Sequence, residues 1–202
     1  MIKKIESILK DRPNKSYPPS DLVPAAVLIP LLYIDDALHI LFTKRSQQVE
    51  HHKGEISFPG GTLDDTDSSL LGCALRECHE EIGLLPEDTH IIGLLDDFRT
   101  VVTHFVVTPF VGHIPHPYPF QVSAYEIDEL IFIPISSLLD PSNYARKDKM
   151  GADGHLYHLD YFYYQEHTIW GATGFILKQF LELVYQFSPE QPTLHNPHRL
   201  ID

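Results

Sequence analysis

With 202 residues, 43% of them hydrophobic and 11% aromatic, the chain is long enough to bury one sizeable core and is not of disordered composition. A formal net charge of −13 excludes a protein that coats phosphate backbones through clustered Lys and Arg, although divalent cations can still bring an anionic substrate to an acidic surface. No stretch approaches the ~20 apolar residues of a membrane span. Scattered charges interrupt the first sixteen residues, unlike a signal peptide, so a cytoplasmic chain without membrane or nucleic-acid partners is expected.

Ile2, Ile5, Ile8 and Leu9 recur at helical spacing and predict a short amphipathic helix, followed by a linker punctuated by Pro13, Pro18 and Pro19. Apolar runs at Ala25 to Ile34 and Ala37 to Thr43, separated by Asp35-Asp36, predict two strands joined by a tight turn. Ile56-Ser57-Phe58 reads as a short strand stopped by Pro59-Gly60-Gly61. The pattern turns helical from Ser69 to Ile82, with Gly83 as a natural stop. Cys73 and Cys78 would point about 140° apart on that helix, too far round for a disulfide, and two unpaired thiols suit a reducing compartment. Ile91 to Leu95, Val101 to Ile114, Leu130 to Ile135 and His155 to Tyr164 are β-prone, and Ala172 to Phe187 predicts a closing amphipathic helix. The whole reads as a mixed α/β (α+β) domain over 23–187, preceded by a helix and linker in 1–22 and followed by a polar, Pro- and His-rich tail over 188–202.

The chemistry concentrates in Arg76-Glu77-Cys78-His79-Glu80-Glu81-Ile82-Gly83-Leu84. On a helix, Glu81 lies about 40° to one side of Glu77 and Glu80 about 60° to the other, so three carboxylates share one face. Their repulsion opposes the helix by a few tenths of a kcal/mol per pair, and Arg76 alone does not offset it. Hard oxygen ligands select Mg²⁺ or Mn²⁺, which bridge readily to phosphates. Arg76 is placed at i,i+4 to orient Glu80, and Gly60 and Gly61 let a backbone loop approach closely. A bare trio of surface glutamates is ordinarily a solvated face.

Here the trio is flanked by Gly60-Gly61 in front, Arg76 beside it and Gly83-Leu84 behind, and this combination resembles the Nudix box. Arg76, Glu77, Glu80, Glu81, Gly83 and Leu84 match its core, with Cys78 in the aliphatic position. The front half departs: the first acidic position falls on Asp67 and is one residue too far from Arg76, with Asp64 and Asp65 as competitors. Asp67 also reads as an ordinary helix cap. The resemblance implies an α/β/α sandwich around a mixed sheet. It also implies metal-dependent cleavage of a diphosphate in a nucleotide-like substrate, with metal ligands at Glu77, Glu80 and Glu81.

Upstream, Leu41-Phe42-Thr43-Lys44-Arg45-Ser46 and Gly54-Glu55-Ile56-Ser57-Phe58-Pro59-Gly60-Gly61 resemble the signature of the coenzyme A pyrophosphatase branch. Thr108 to Gly112 and Trp170 to Thr173 are similar too, and the likeness spans roughly residues 25 to 185. It implies coenzyme A or an acyl derivative as substrate, cleaved to 3′,5′-ADP and 4′-phosphopantetheine or its acylated form. Arg45, Lys44, Gly60 and Gly61 then become substrate-binding candidates, and Glu55 is either a metal ligand or part of a strand edge. Glu50 stands where the branch usually has Arg; His51, His52, Lys53 and Lys44 either compensate it or form a solvated edge.

Two residues compete as general base: Glu80 within the box, and Glu126 in a segment resembling an acidic loop of some family members. Tyr157, Tyr161, Phe162 and Tyr163 line a substrate pocket or pack the core, and Trp170 reads as a core anchor. Other readings are a Nudix enzyme for ADP-ribose or NADH and a non-catalytic nucleotide-binding module. A homodimer is expected by analogy with family members alone.

Overall fold

The computed structural model describes residues 1–17, 21–49, 52–100, 104–151 and 154–189. Pro18, Pro19, Glu50, His51 and the tail from residue 190 lie outside that set.

The first helix, α1 (Ile2–Lys10), leads into two long strands, β1 (Val23–Ile34) and β2 (Ala37–Arg45), then the short β3 (Ile56–Ser57) and β4 (Gly60–Thr62). Helix α2 (Leu70–Ile82) follows, and after it β5 (His90–Leu94), β6 (Phe98–Arg99), β7 (Phe105–His113) and β8 (Ile127–Pro134). A one-turn helix α3 (Ile135–Leu138) precedes a second, three-stranded sheet of β9 (Tyr144–Met150), β10 (Leu156–Tyr164) and β11 (His167–Ile169), and α4 (Gly171–Tyr185) is the last element among the described residues.

The main sheet runs β3-β2-β1-β7-β5, with β4 on β1, β6 on β7 and β8 on β2. It is mixed, because β1 and β7 are parallel while the other pairs are antiparallel. A strand covered on both faces should read as a continuous apolar run, and β1 does, as VPAAVLIPLLYI. Its Ile29 and Leu31 enter one core with α1 and α4, while Leu28 and Leu32 enter another beneath α2 with Cys78 and Ile82. Helices on both sides of a mixed sheet make the expected α/β/α sandwich, and each such Leu or Ile stabilises it by about 1.5–3 kcal/mol. Pro30 falls between the residues of β1 that pair with β4 and those that pair with β2, at a change of partner. Asp35 and Asp36 take φ of 47° and 61°, the positive values that a two-residue hairpin turn needs.

The N-terminal segment is part of this body. Ile5 and Leu9 of α1 are buried in the larger core, Arg12 pairs with Asp96, and the Lys15 and Tyr17 amides donate to Asp96 and Asp97. Phe162 is core, as the sequence suggested. Tyr161, Tyr163 and Trp170 are only half-buried and lie as near-parallel rings, with Lys147 over both tyrosines and Lys149 over Trp170. Trp170 is therefore partly buried in this stack and not the core anchor expected. Among the described residues no helix is long and apolar enough to cross a membrane.

Candidate functional site

Helix α2 carries the site because its two ends are fixed. Ser69, not Asp67, caps the N-terminus, accepting from the Gly72 amide at 3.0 Å. Gly83 closes the C-terminus at φ 69°, with its amide on His79 O and that of Leu84 on Cys78 O, so the chain turns away where the sequence put the stop. Cys73, Ala74, Cys78 and Ile82 face the sheet, both cysteines being free and buried, which leaves Glu77 and Glu80 along the open flank.

Glu81 is different from its neighbours. It is 2% exposed, and its carboxylate accepts from the Gly60 amide at 3.2 Å and lies 3.7 Å from Arg45 Nη1. Burial outweighs both and pushes its carboxyl up to about 8. Burial also raises Glu77, against the pull of Arg76. The negative charge of Glu126 raises both groups a little further.

Arg76 organises the flank. Its Nε and Nη2 donate to the two oxygens of Asp67, each at 2.9 Å, and its Nη1 donates to Glu77 and to Glu80, each at 2.8 Å. The bidentate clamp holds the Asp67 carboxyl down at about 2. The cap expected of Asp67 is corrected accordingly: it is the residue that orients Arg76. Gly60 is sterically required at its φ of 150°, and Gly61 leaves room for the Glu77 carboxylate. A Cβ on Gly60 would stand 2.3 Å from the Ala26 carbonyl, and one on Gly61 would stand 2.4 Å from a Glu77 oxygen.

A second segment closes over the end of α2. The Gln121 amide donates to Ile82 O and the Ser123 amide to Glu81 O, while the Ser46 amide donates to Glu126 O. Sequence reasoning assigned no role to Gln121, Ser123 or Ser46. Their bonds are to main-chain atoms, which leave no signal in residue identity. Arg45 reaches Glu81 directly, but Lys44 Nζ lies 3.6 Å from Glu129, its cross-strand partner, and Glu55 is taken up by His52 at 2.8 Å.

Among the described residues no three acidic, His or Cys side chains converge closely enough to share an ion as they are placed, since Arg76 holds Glu77 and Glu80. The donor chemistry nevertheless fits a hard divalent cation: the three helix groups are carboxylates, and buried Glu81 has a single backbone donor and a distant guanidinium to offset its charge.

A mixed sheet between helices, with a Gly-Gly strand laid against an acidic helix, defines the Nudix class of fold and site. Residues 23–153 match the NUDIX domain, and the chain belongs to the Nudix hydrolase family. It is 39% identical over 155 residues to an uncharacterized Nudix hydrolase NudL of Enterobacter sp. (strain 638), covering 77% of this chain and 79% of that one. A NudL of Cronobacter sakazakii (strain ATCC BAA-894) is 35% identical over 168 residues, covering 83% and 86%. The fold is also similar to a C. elegans Ap4A hydrolase binary complex, with TM-score 0.52, 18% identity and coverage of 82% of this chain and all of that one. The protein is accordingly an enzyme of the pyrophosphohydrolase class, a class that generally uses divalent metal ions.

Proposed function

We propose that the enzyme hydrolyses the diphosphate of coenzyme A or an acyl-coenzyme A, giving 3′,5′-ADP and 4′-phosphopantetheine or its acylated form. The observation that carries this reading is that the two sequence segments resembling the coenzyme A branch converge on one carboxylate: Arg45 and the Gly60 amide both address Glu81.

In this scheme Glu77, Glu80 and Glu81 would hold Mg²⁺ or Mn²⁺, which would supply positive charge to the diphosphate and a lower pKa to the attacking water. Arg76, anchored by Asp67, orients Glu77 and Glu80, and the Gly60-Gly61 backbone lets the diphosphate approach the helix. Arg45 contributes positive charge toward the substrate phosphates, while Lys44 is turned to Glu129. Water attacks one phosphorus in line, the bond to the bridging oxygen breaks, and the other phosphate leaves with it. Glu126 takes the proton of that water; its segment is tied to the Glu81 carbonyl through the Ser123 amide, whereas Glu80 is held by Arg76. A cytoplasmic location, read from the composition and the two unpaired thiols, and a homodimer, by analogy with family members, complete the reading.

Product chromatography after incubation with coenzyme A, acetyl-coenzyme A, ADP-ribose and NADH, each with Mg²⁺ and with Mn²⁺, tests it. The expected outcome is 3′,5′-ADP from the coenzyme A substrates at a kcat/KM at least tenfold above the others. Preferred cleavage of ADP-ribose or NADH would replace the substrate assignment, and tight binding without turnover would favour a nucleotide-binding module.

A further inference from the structure

The segment from Gln121 to Glu126 has little packing to hold it. Gln121 and Ala124 are exposed, and Val122 and Tyr125 have 38% and 60% of their surface in solvent. Its position depends on hydrogen bonds. At one end, the amides of Gln121 and Ser123 bond to the carbonyls of Ile82 and Glu81 at 3.0 and 2.9 Å. The amides of Glu126 and Ile127 then return to Ser123 O at 3.0 and 2.9 Å, forming a tight turn. At the other end stands one fully buried residue, Ser46. Its hydroxyl donates to Tyr125 O at 2.6 Å and accepts from the Gln48 amide at 2.9 Å, and its own amide donates to Glu126 O at 2.8 Å.

We infer that Ser46 is a positioning residue that clasps the 121–126 segment against the end of β2 and so fixes the backbone of Glu126 beside the C-terminal end of the carboxylate helix. The ring of contacts is closed: Ser46 follows Arg45, Arg45 addresses the Glu81 side chain, and the Glu81 carbonyl holds Ser123 at the far end of the same segment. The hydroxyl grips the Tyr125 carbonyl and leaves the ring in solvent, so it determines where the backbone beside Glu126 lies. A buried side chain that uses both its donor and its acceptor on main-chain atoms of two segments leaves the loop few alternative positions. The residue touches no reacting atom. It acts through Glu126, and the inference rests on the role of Glu126 proposed above.

The test uses Ser46→Ala, the near-isosteric Ser46→Cys, Glu126→Gln and the Ser46→Ala/Glu126→Gln double variant of the whole chain, with thermal melting checked for each. Ser46→Ala is expected to lower kcat about tenfold with KM within twofold, the range typical of losing a partner that orients a functional group. Ser46→Cys, with a weaker donor in the same place, should fall between it and the parent. In the Glu126→Gln background Ser46→Ala should cost nothing further, because there is no longer a base to position. Hydrogen exchange at the Glu126 and Ile127 amides should quicken about tenfold in Ser46→Ala while exchange along α2 is unchanged.

Equal losses from Ser46→Ala in both backgrounds, a fully active Glu126→Gln, or unchanged exchange in the loop would each overturn the clasp. If Ser46→Ala does not fold, Ser46→Cys is read in the same way. If the parent enzyme cleaves none of the diphosphates tested, the proposed substrate fails, and the exchange measurement alone decides on Ser46.

Discussion

Gly61→Ala offers a sharp test of the link between backbone and chemistry. The added methyl would stand 2.4 Å from Oε1, 2.5 Å from Cδ and 2.8 Å from Oε2 of Glu77. Ordinary contact begins near ~3.5 Å, so the carboxylate must retreat by roughly 1 Å. It cannot do so freely, because Arg76 Nη1 holds it at 2.8 Å and is itself clamped by Asp67. Gly61 needs no positive φ, so the backbone accepts alanine and the cost falls on the carboxylate. A displacement of about 1 Å in a positioned group costs on the order of 100-fold in rate, so kcat/KM should fall about that much with the fold intact. Steady-state hydrolysis at saturating Mg²⁺, paired with a melting curve, measures both. Activity within twofold of the parent would refute the reasoning, since it would mean that the Glu77 position is not required.

Other consequences follow from the same geometry. Gly72 lies inside α2, and a Cβ there meets its nearest neighbour at an ordinary 3.4 Å; Gly72→Ala should therefore raise stability by about 0.5–1 kcal/mol in urea unfolding and leave activity unchanged. At Gly83 the same change meets Gln121 at 2.7 Å and forces alanine to φ 69°, so it should destabilise by about 1–3 kcal/mol. Asp67→Asn should lower kcat about tenfold by loosening Arg76, without the loss of helix that removing a cap would bring to circular dichroism. Glu81, pushed up to about 8 when folded and near its ordinary value of 4.5 unfolded, binds its proton more tightly in the folded state. Chelator-treated protein should therefore lose stability as pH rises from about 4.5 to 8; melting curves across that range should show the slope, and Glu81→Gln should flatten it.

Much of the scaffold was legible because local rules govern it. The Asp35-Asp36 turn, the Gly83 stop and the apolar run of β1 each follow from residues adjacent in the chain. β4 was not legible: Gly60 and Gly61 look like a strand stop, yet they pair with Val27 and Ala26 because the tertiary fold brings β1 beside them. The charged strand β9, ARKDK at its centre, lacks an apolar alternation and exists through its ladder with β10. The three glutamates were visible on one helical face, but helical geometry could not say that Glu81 is buried while Glu80 is 51% exposed. Nor could spacing show that Asp67 spends both oxygens on Arg76, nine residues on, or that Ser46 reaches Tyr125 across 79 residues.

The central claim is that the α2 carboxylates complete themselves with a divalent cation. Electron paramagnetic resonance titration of Mn²⁺ into the parent protein and into Glu81→Gln addresses it without requiring a substrate. Saturable binding by the parent, weakened at least tenfold in Glu81→Gln and competed by Mg²⁺, is the predicted result. Equal Mn²⁺ uptake by the two proteins, or none by the parent, would contradict it.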